Sequence, residues 1–114
     1  IAACPGGAQT RGLISRNVLE ALGPEGVFIN IARGSVVDET AMAELLADGR
    51  LGAAGLDVFE REPQVPAALI ALDHVVLHPH QGSATHETRL RMADLVLANL
   101  DAVMAGREPP TAVV

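Results

Sequence analysis

Aromatic side chains are nearly absent: the 114 residues hold two Phe, no Trp and no Tyr. Any core must therefore be aliphatic. The abundant Val, Leu, Ile and Ala suit strands buried on both faces beneath helices. Cysteine occurs once, at Cys4, which excludes a disulfide framework. The net charge is −6 and no run of Lys or Arg occurs, which argues against nucleic acid and against an anionic membrane surface. No apolar stretch approaches the roughly 18 residues of a membrane span. The opening residues lack the charged segment of a signal peptide. A soluble protein of the reducing cytoplasm is expected. What is present supports a folded domain, since 49% of the residues are hydrophobic.

The pattern along the chain alternates. Residues 1–4 read as the end of a strand, closed by Pro5-Gly6-Gly7, and the lack of an initial Met suggests that the strand begins upstream. "SRNVLEAL" predicts a helix with Ser15 as N-cap and Val18, Leu19 and Leu22 on one face; Gly23-Pro24 stops it. "VFINI", 27–31, predicts a buried strand. Asp38 caps a helix whose stripe is Met42, Leu45 and Leu46 and whose end suits Gly49. "LGAAGL", 51–56, is a glycine-rich strand, and its glycines suggest close approach of another backbone or a ligand. "VPAALIAL" allows a short helix, and "VVL", 75–77, a further strand. Ser83 or Thr85 opens a long helix with Leu90, Ala93, Leu97, Leu100 and Met104 on one face, ended by Gly106 and Pro109. Alternation of this kind predicts an α/β fold, a parallel sheet joined by right-handed helical crossovers.

Chemistry collects after the strands. Arg33-Gly34 follows the strand at 27–31, Asp57 follows "GAAGL", and His78-Pro79-His80 follows "VVL". Each lies about one strand–helix unit from the next, so all fall at one sheet edge, where ligands of open parallel sheets bind. Glu62 trails Asp57 closely enough to fold back over that edge. Gly34 would allow a tight turn that aims Arg33, a natural bidentate partner of a carboxylate. Plainer roles exist for each: a surface ion pair for Arg33, a cap or turn acid for Asp57, a core histidine for His80. Glu60 and Arg61 read as a solvated loop, Glu62 as restrained by Pro63, and His74 and His86 as surface residues.

Two chemistries compete for these side chains. His78-x-His80, with His86 nearby, could ligate zinc, but Pro79 intervenes and no further His or Cys supports them, so no metal is expected. The set Arg, Glu, His instead suits interconversion of a 2-oxo acid and a 2-hydroxy acid. Arg holds the carboxylate and polarises the carbonyl, His moves a proton, and a carboxylate fixes the imidazole tautomer. The hydride would need a nicotinamide.

The motifs "ACPGGAQTRGLIS", "ALGPEGVFINIARGSVVDETAMAELLADGRLGAAGLDVFEREP" and "VVLHPHQGSATHETRLRMADLVLANL" cover nearly the whole chain. In them the sequence resembles the D-2-hydroxyacid dehydrogenase family, with wording nearest its glyoxylate/hydroxypyruvate and hydroxyphenylpyruvate reductases. The resemblance implies an NAD- or NADP-dependent oxidoreductase acting on small 2-oxo or 2-hydroxy acids, dimeric when full-length. Residues 1–82 would be the second half of a Rossmann domain, a partial doubly wound sheet. Residues 83–114 would be the helix and tail returning to a substrate domain. Arg33 matches the substrate-binding arginine, His80 the proton donor, and Glu62 the acid paired with it. Asp57 matches the acid that contacts the nicotinamide carboxamide. Ile31 and Ala32 would lie against the nicotinamide, Pro5 and Thr10 would line its other side, and Gly82 and Ser83 would form the turn near nicotinamide and substrate.

Two departures stand out. His78 occupies a place where Thr or another small residue is expected. The chain also has no G-x-G-x-x-G, so the resemblance spans only the C-terminal third or so of such an enzyme. A dinucleotide-sensing corepressor of the same fold is the rival reading. A formate or phosphite enzyme is a third, but formate enzymes carry Gln where Glu62 stands.

Overall fold

The computed structural model describes residues 1–113, which fall into two compact units, Ile1–Gly82 and Ser83–Val114. In the first unit, three short β-prone stretches form strands β1 (Val27–Asn30), β2 (Ala53–Leu56) and β3 (Val75–Leu77). They pair in parallel in the order β1-β2-β3, with Val27 opposite Ala53 and Ala54 opposite Val75. Helix α1 (Arg16–Leu22) precedes β1, α2 (Glu39–Ala47) joins β1 to β2, and α3 (Ala67–Ile70) joins β2 to β3. Parallel pairing sets the carboxyl ends of all three strands at one edge.

Local chemistry explains several boundaries. The Ala41 N–H donates to Asp38 Oδ1 at 3.0 Å, the expected N-cap of α2. At its other end Gly49 takes φ 68°, where only glycine sits without strain. Its N–H meets Leu46 O and the Arg50 N–H meets Leu45 O, a Schellman ending. Ser15 stands at the N-cap of α1, but its side chain makes no capping bond. Of the apolar residues in α1 only Leu19 is buried; Val18 and Leu22 are exposed.

The first expected strand shrinks to one bridge. Ala2 pairs with Asn30 through Ala2 N–H to Ile29 O at 2.8 Å and Ile31 N–H to Ala2 O at 3.1 Å. Pro5 has no N–H with which to extend the pairing. β2 begins at Ala53 rather than at 51. Gly52, just outside it, is approached by the Pro24 carbonyl, whereas Gly55 faces open space apart from Ile29.

Strand residues alternate between the two faces. Phe28, Ala54 and Leu56 join Leu19 of α1, Leu45 of α2 and Leu69 of α3 in one core that is aliphatic apart from Phe28 and Phe59. Burying each such leucine contributes about 1.5–3 kcal/mol. The opposite face carries Val27, Ile31 and Val76, exposed at 58%, 56% and 69%. The expectation of strands buried on both faces fails there, because α1, α2 and α3 cover one face only.

The second unit holds α4 (His86–Met104). Thr85 rather than Ser83 caps it, its Oγ1 accepting the Thr88 N–H at 3.2 Å. Its stripe of Leu90, Ala93, Leu97, Leu100 and Met104 is exposed. Among the described residues no helix is long and apolar enough to cross a membrane.

Candidate functional site

The loop after β1 is built around Asn30. This side chain is fully buried, and a buried amide must find partners. Its Oδ1 accepts the Ala32 N–H at 3.0 Å and its Nδ2 donates to Arg33 O at 3.1 Å, which folds the loop back on the strand end. Arg33 emerges from that loop as an exposed residue, its stem against Gly6 and its Nη1 donating to Ala32 O at 2.6 Å. Gly34 opens the tight turn expected after Arg33, a 3₁₀ turn over Gly34–Val36, and serves a second purpose. Its φ is not left-handed. A β-carbon there would lie 2.0 Å from the Phe59 carbonyl carbon, so glycine lets the loop after β1 touch the loop after β2.

That contact places Glu62. Its Oε1 accepts the Phe59 N–H at 3.0 Å, and its Oε2 lies 2.7 Å from His80 Nδ1. The His80 bond holds the Glu62 carboxyl below the usual range. Partial burial works against this, while the Phe59 N–H and the nearby charge of Arg33 assist. His80 is exposed, so it is no core histidine, and its backbone takes φ 53°. A side-chain-bearing residue held in the left-handed region carries strain of the kind found at functional sites. With Nδ1 on Glu62, Nε2 has no protein partner among the described residues.

Asp57 anchors a turn. Its Oδ1 accepts the Gln81 N–H at 2.7 Å and its Oδ2 the Gly82 N–H at 2.9 Å, while His78 Nδ1 lies 3.2 Å from Oδ1. Burial acts to raise its pKa, but the two N–H groups and His78 together outweigh it, and the net shift is downward. Those bonds fix the turn just beyond His80.

One open cleft of about 830 Å³ brings together Pro5, Ile31, Ala32, Arg33, Glu62 and His80. Asp57 and Gly82 line a separate, shallower apolar depression of about 290 Å³ with Ile31 and His78. Thr10 lies in neither; its Oγ1 donates to Pro5 O at 2.7 Å and shapes the loop that walls the cleft. Ser83 belongs to the second unit. Among the described residues no three His, Cys, Asp or Glu side chains gather as metal ligands.

Residues 1–82 match the family model described as "D-isomer specific 2-hydroxyacid dehydrogenase, NAD binding domain". The chain belongs to this family. Among its relatives, hydroxyphenylpyruvate reductase of Plectranthus scutellarioides is 55% identical over all of this chain and 36% of that protein. Glyoxylate/hydroxypyruvate reductase A of Arabidopsis thaliana is 54% identical over the same shares. Among solved structures, the NADPH-dependent glyoxylate/hydroxypyruvate reductase of Sinorhizobium meliloti, in complex with NADP and malonate, superposes with a TM-score of 0.95 at 48% identity. That match covers 98% of this chain and 35% of the other. The chain thus spans 36% of the length of the curated relatives it matches.

For this 2-hydroxyacid dehydrogenase domain, the residue reading missed Asn30 and Glu39. A polar residue inside the apolar run "VFINI" is a visible signal for the first. Glu39 gives no such signal, because an acid in the first turn of a helix is ordinary. It is nevertheless buried, and its Oε2 accepts the Glu60 N–H at 3.0 Å. The unexpected His78 is accounted for in part: it pairs with Asp57 while its side chain stays 58% exposed.

Proposed function

We propose that the intact protein reduces small 2-oxo acids to 2-hydroxy acids with NADH or NADPH, glyoxylate and hydroxypyruvate being the first substrates to test. The observation that carries this is the opening of Arg33, Glu62 and His80 into one cleft, with Glu62 bonded to one nitrogen of His80 and the other without a partner among the described residues. The names and bound ligands of the relatives, NADP and malonate among them, support it.

The cleft fits the nicotinamide end of a dinucleotide. Ile31, Ala32 and Pro5 give it apolar walls for a flat ring, with the polar groups gathered at Arg33, Glu62 and His80. By the family resemblance, Pro5, Thr10, Ile31, Ala32, Arg33, Asp57, His80 and Gly82 are the residues assigned to hold it. Asp57 accepts three hydrogen bonds, and an ionised carboxylate has room for about four, so one site remains for a carboxamide N–H. The bound nicotinamide supplies the hydride.

The chain's own residues do the rest. Arg33 grips the substrate carboxylate with its planar fork and polarises the adjacent carbonyl. His80 donates a proton from Nε2 to the carbonyl oxygen as the carbon is reduced. Glu62, kept ionised by its lowered pKa, fixes the tautomer and stabilises the protonated ring. Two copies in the cytoplasm, with residues 83–114 leading to a substrate domain, complete the proposal.

A panel of 2-oxo acids with NADH and NADPH, run on the intact protein, tests it. Turnover of a member of the panel is expected. Dinucleotide binding without turnover would support the corepressor instead.

A further inference from the structure

Glu39 is the one charged residue that is buried among the described residues. It opens α2, where a carboxylate favours the helix N-terminus, but that role does not require burial. Burial pushes its carboxyl above the usual range, opposed by the Glu60 N–H. Its Oε2 accepts that N–H at 3.0 Å. The N–H belongs to the peptide joining Phe59 to Glu60, the same peptide whose carbonyl carbon leaves Gly34 no room for a β-carbon. This peptide is therefore clamped between Glu39 and the glycine that follows Arg33. One N–H earlier, Phe59 donates to Glu62 Oε1, and Glu62 Oε2 meets His80 Nδ1.

We propose that Glu39 is a positioning residue for the proton-handling pair. By fixing the Phe59–Glu60 peptide it sets the place of Glu62 against His80, and of both against Arg33. It does not line the cleft and touches neither substrate nor dinucleotide. The inference rests on the dehydrogenase function proposed above.

The test uses the intact protein with Glu39→Ala, Glu39→Gln and Glu62→Gln, and the double variant E39A/E62Q. Misplacing a reacting group by about 1 Å costs on the order of a hundredfold in rate. E39A should stay folded by circular dichroism and lose roughly tenfold to a hundredfold in kcat, with KM for the dinucleotide unchanged. E39Q keeps an acceptor oxygen for the Glu60 N–H and should restore most of kcat. Because Glu39 acts through Glu62, E39A/E62Q should be little slower than E62Q alone. Carboxyl NMR should show the Glu62 titration rising toward the ordinary range in E39A and staying low in E39Q. Should E39A fail to fold, Glu39→Asp, with its carboxylate drawn back by one carbon, takes its place with the same expectations.

Wild-type kcat and an unmoved Glu62 titration in E39A would overturn the proposal. So would an E39A effect that is undiminished in the E62Q background. An intact wild-type protein with no turnover on any 2-oxo acid would instead overturn the proposed function, and the Glu62 titration would still decide the positioning.

Discussion

Gly82 donates its N–H to Asp57 Oδ2 at 2.9 Å, so the residue that follows β2 fixes the turn that follows β3. The Asp57 pKa is lowered in the folded chain. A carboxylate so depressed contributes stability that is present above its unfolded pKa, about 3.9, and lost as pH falls through the folded value. Below about pH 4 the 80–82 turn should loosen, whereas Asp57→Asn should loosen it at every pH. Amide hydrogen exchange of Gln81 and Gly82 across pH reads this directly. Protection in D57N that matches wild type at neutral pH would remove Asp57 from this role.

Gly34→Ala should be among the most damaging single substitutions in the chain. The new carbon would fall 2.0 Å from the Phe59 carbonyl carbon, and backbone cannot rotate aside as a side chain can. Overpacking costs typically about 1–3 kcal/mol and occasionally more. The upper end is expected, measured by denaturant unfolding, with loss of turnover in whatever remains folded. A cost under about 1 kcal/mol would mean that the two loops do not touch as described.

Asn30→Asp keeps the shape of the side chain and its bond from the Ala32 N–H, but sets an acceptor against Arg33 O. A buried group left unpaired costs about 1–3 kcal/mol, and a buried charge costs more. Stability and kcat/KM should fall together, because the same loop carries Arg33. Unchanged kinetics with lowered stability would confine Asn30 to a purely structural role.

Arg33→Lys retains the charge and loses the planar fork. In the intact protein kcat/KM for a 2-oxo acid should fall on the order of a hundredfold, with an unchanged circular dichroism spectrum. Near-normal kinetics would remove Arg33 as the substrate anchor.

The exposed apolar sheet face makes a different kind of prediction. Ile29, Ile31 and Val76 line one apolar depression on it and Val27 is exposed on the same face, and such apolar surface favours association. A purified chain of these 114 residues alone should self-associate in sedimentation velocity. A monodisperse monomer across the accessible concentration range would show that this face tolerates water.

The parallel sheet and its shared carboxyl edge are legible because Arg33, Asp57 and His80 each follow an apolar run at intervals of about one strand–helix unit, and parallel pairing aligns such ends. Strand identity was less secure. "IAAC" has strand composition, but Pro5 limits it to one bridge. Ser15 has the right side chain for a cap, yet makes no bond. Gly34 reads as a turn glycine and is one, but its close approach to the loop after β2 leaves no local sign. Asn30 and Glu39 act through backbone N–H and C=O groups of folded loops, and no spacing rule encodes those. The pairing of Glu62 with His80 is implied by the family resemblance, while the loop geometry that makes the bond is not specified by the residues alone.

NAD(P)H oxidation by the intact wild-type protein and by its His80→Gln variant, with dinucleotide binding measured alongside, tests His80 as the proton donor. Losing a general acid costs typically about 10² to 10⁴ in rate. H80Q should show a loss of that size in turnover at saturating dinucleotide. Turnover by H80Q at the wild-type rate would contradict it.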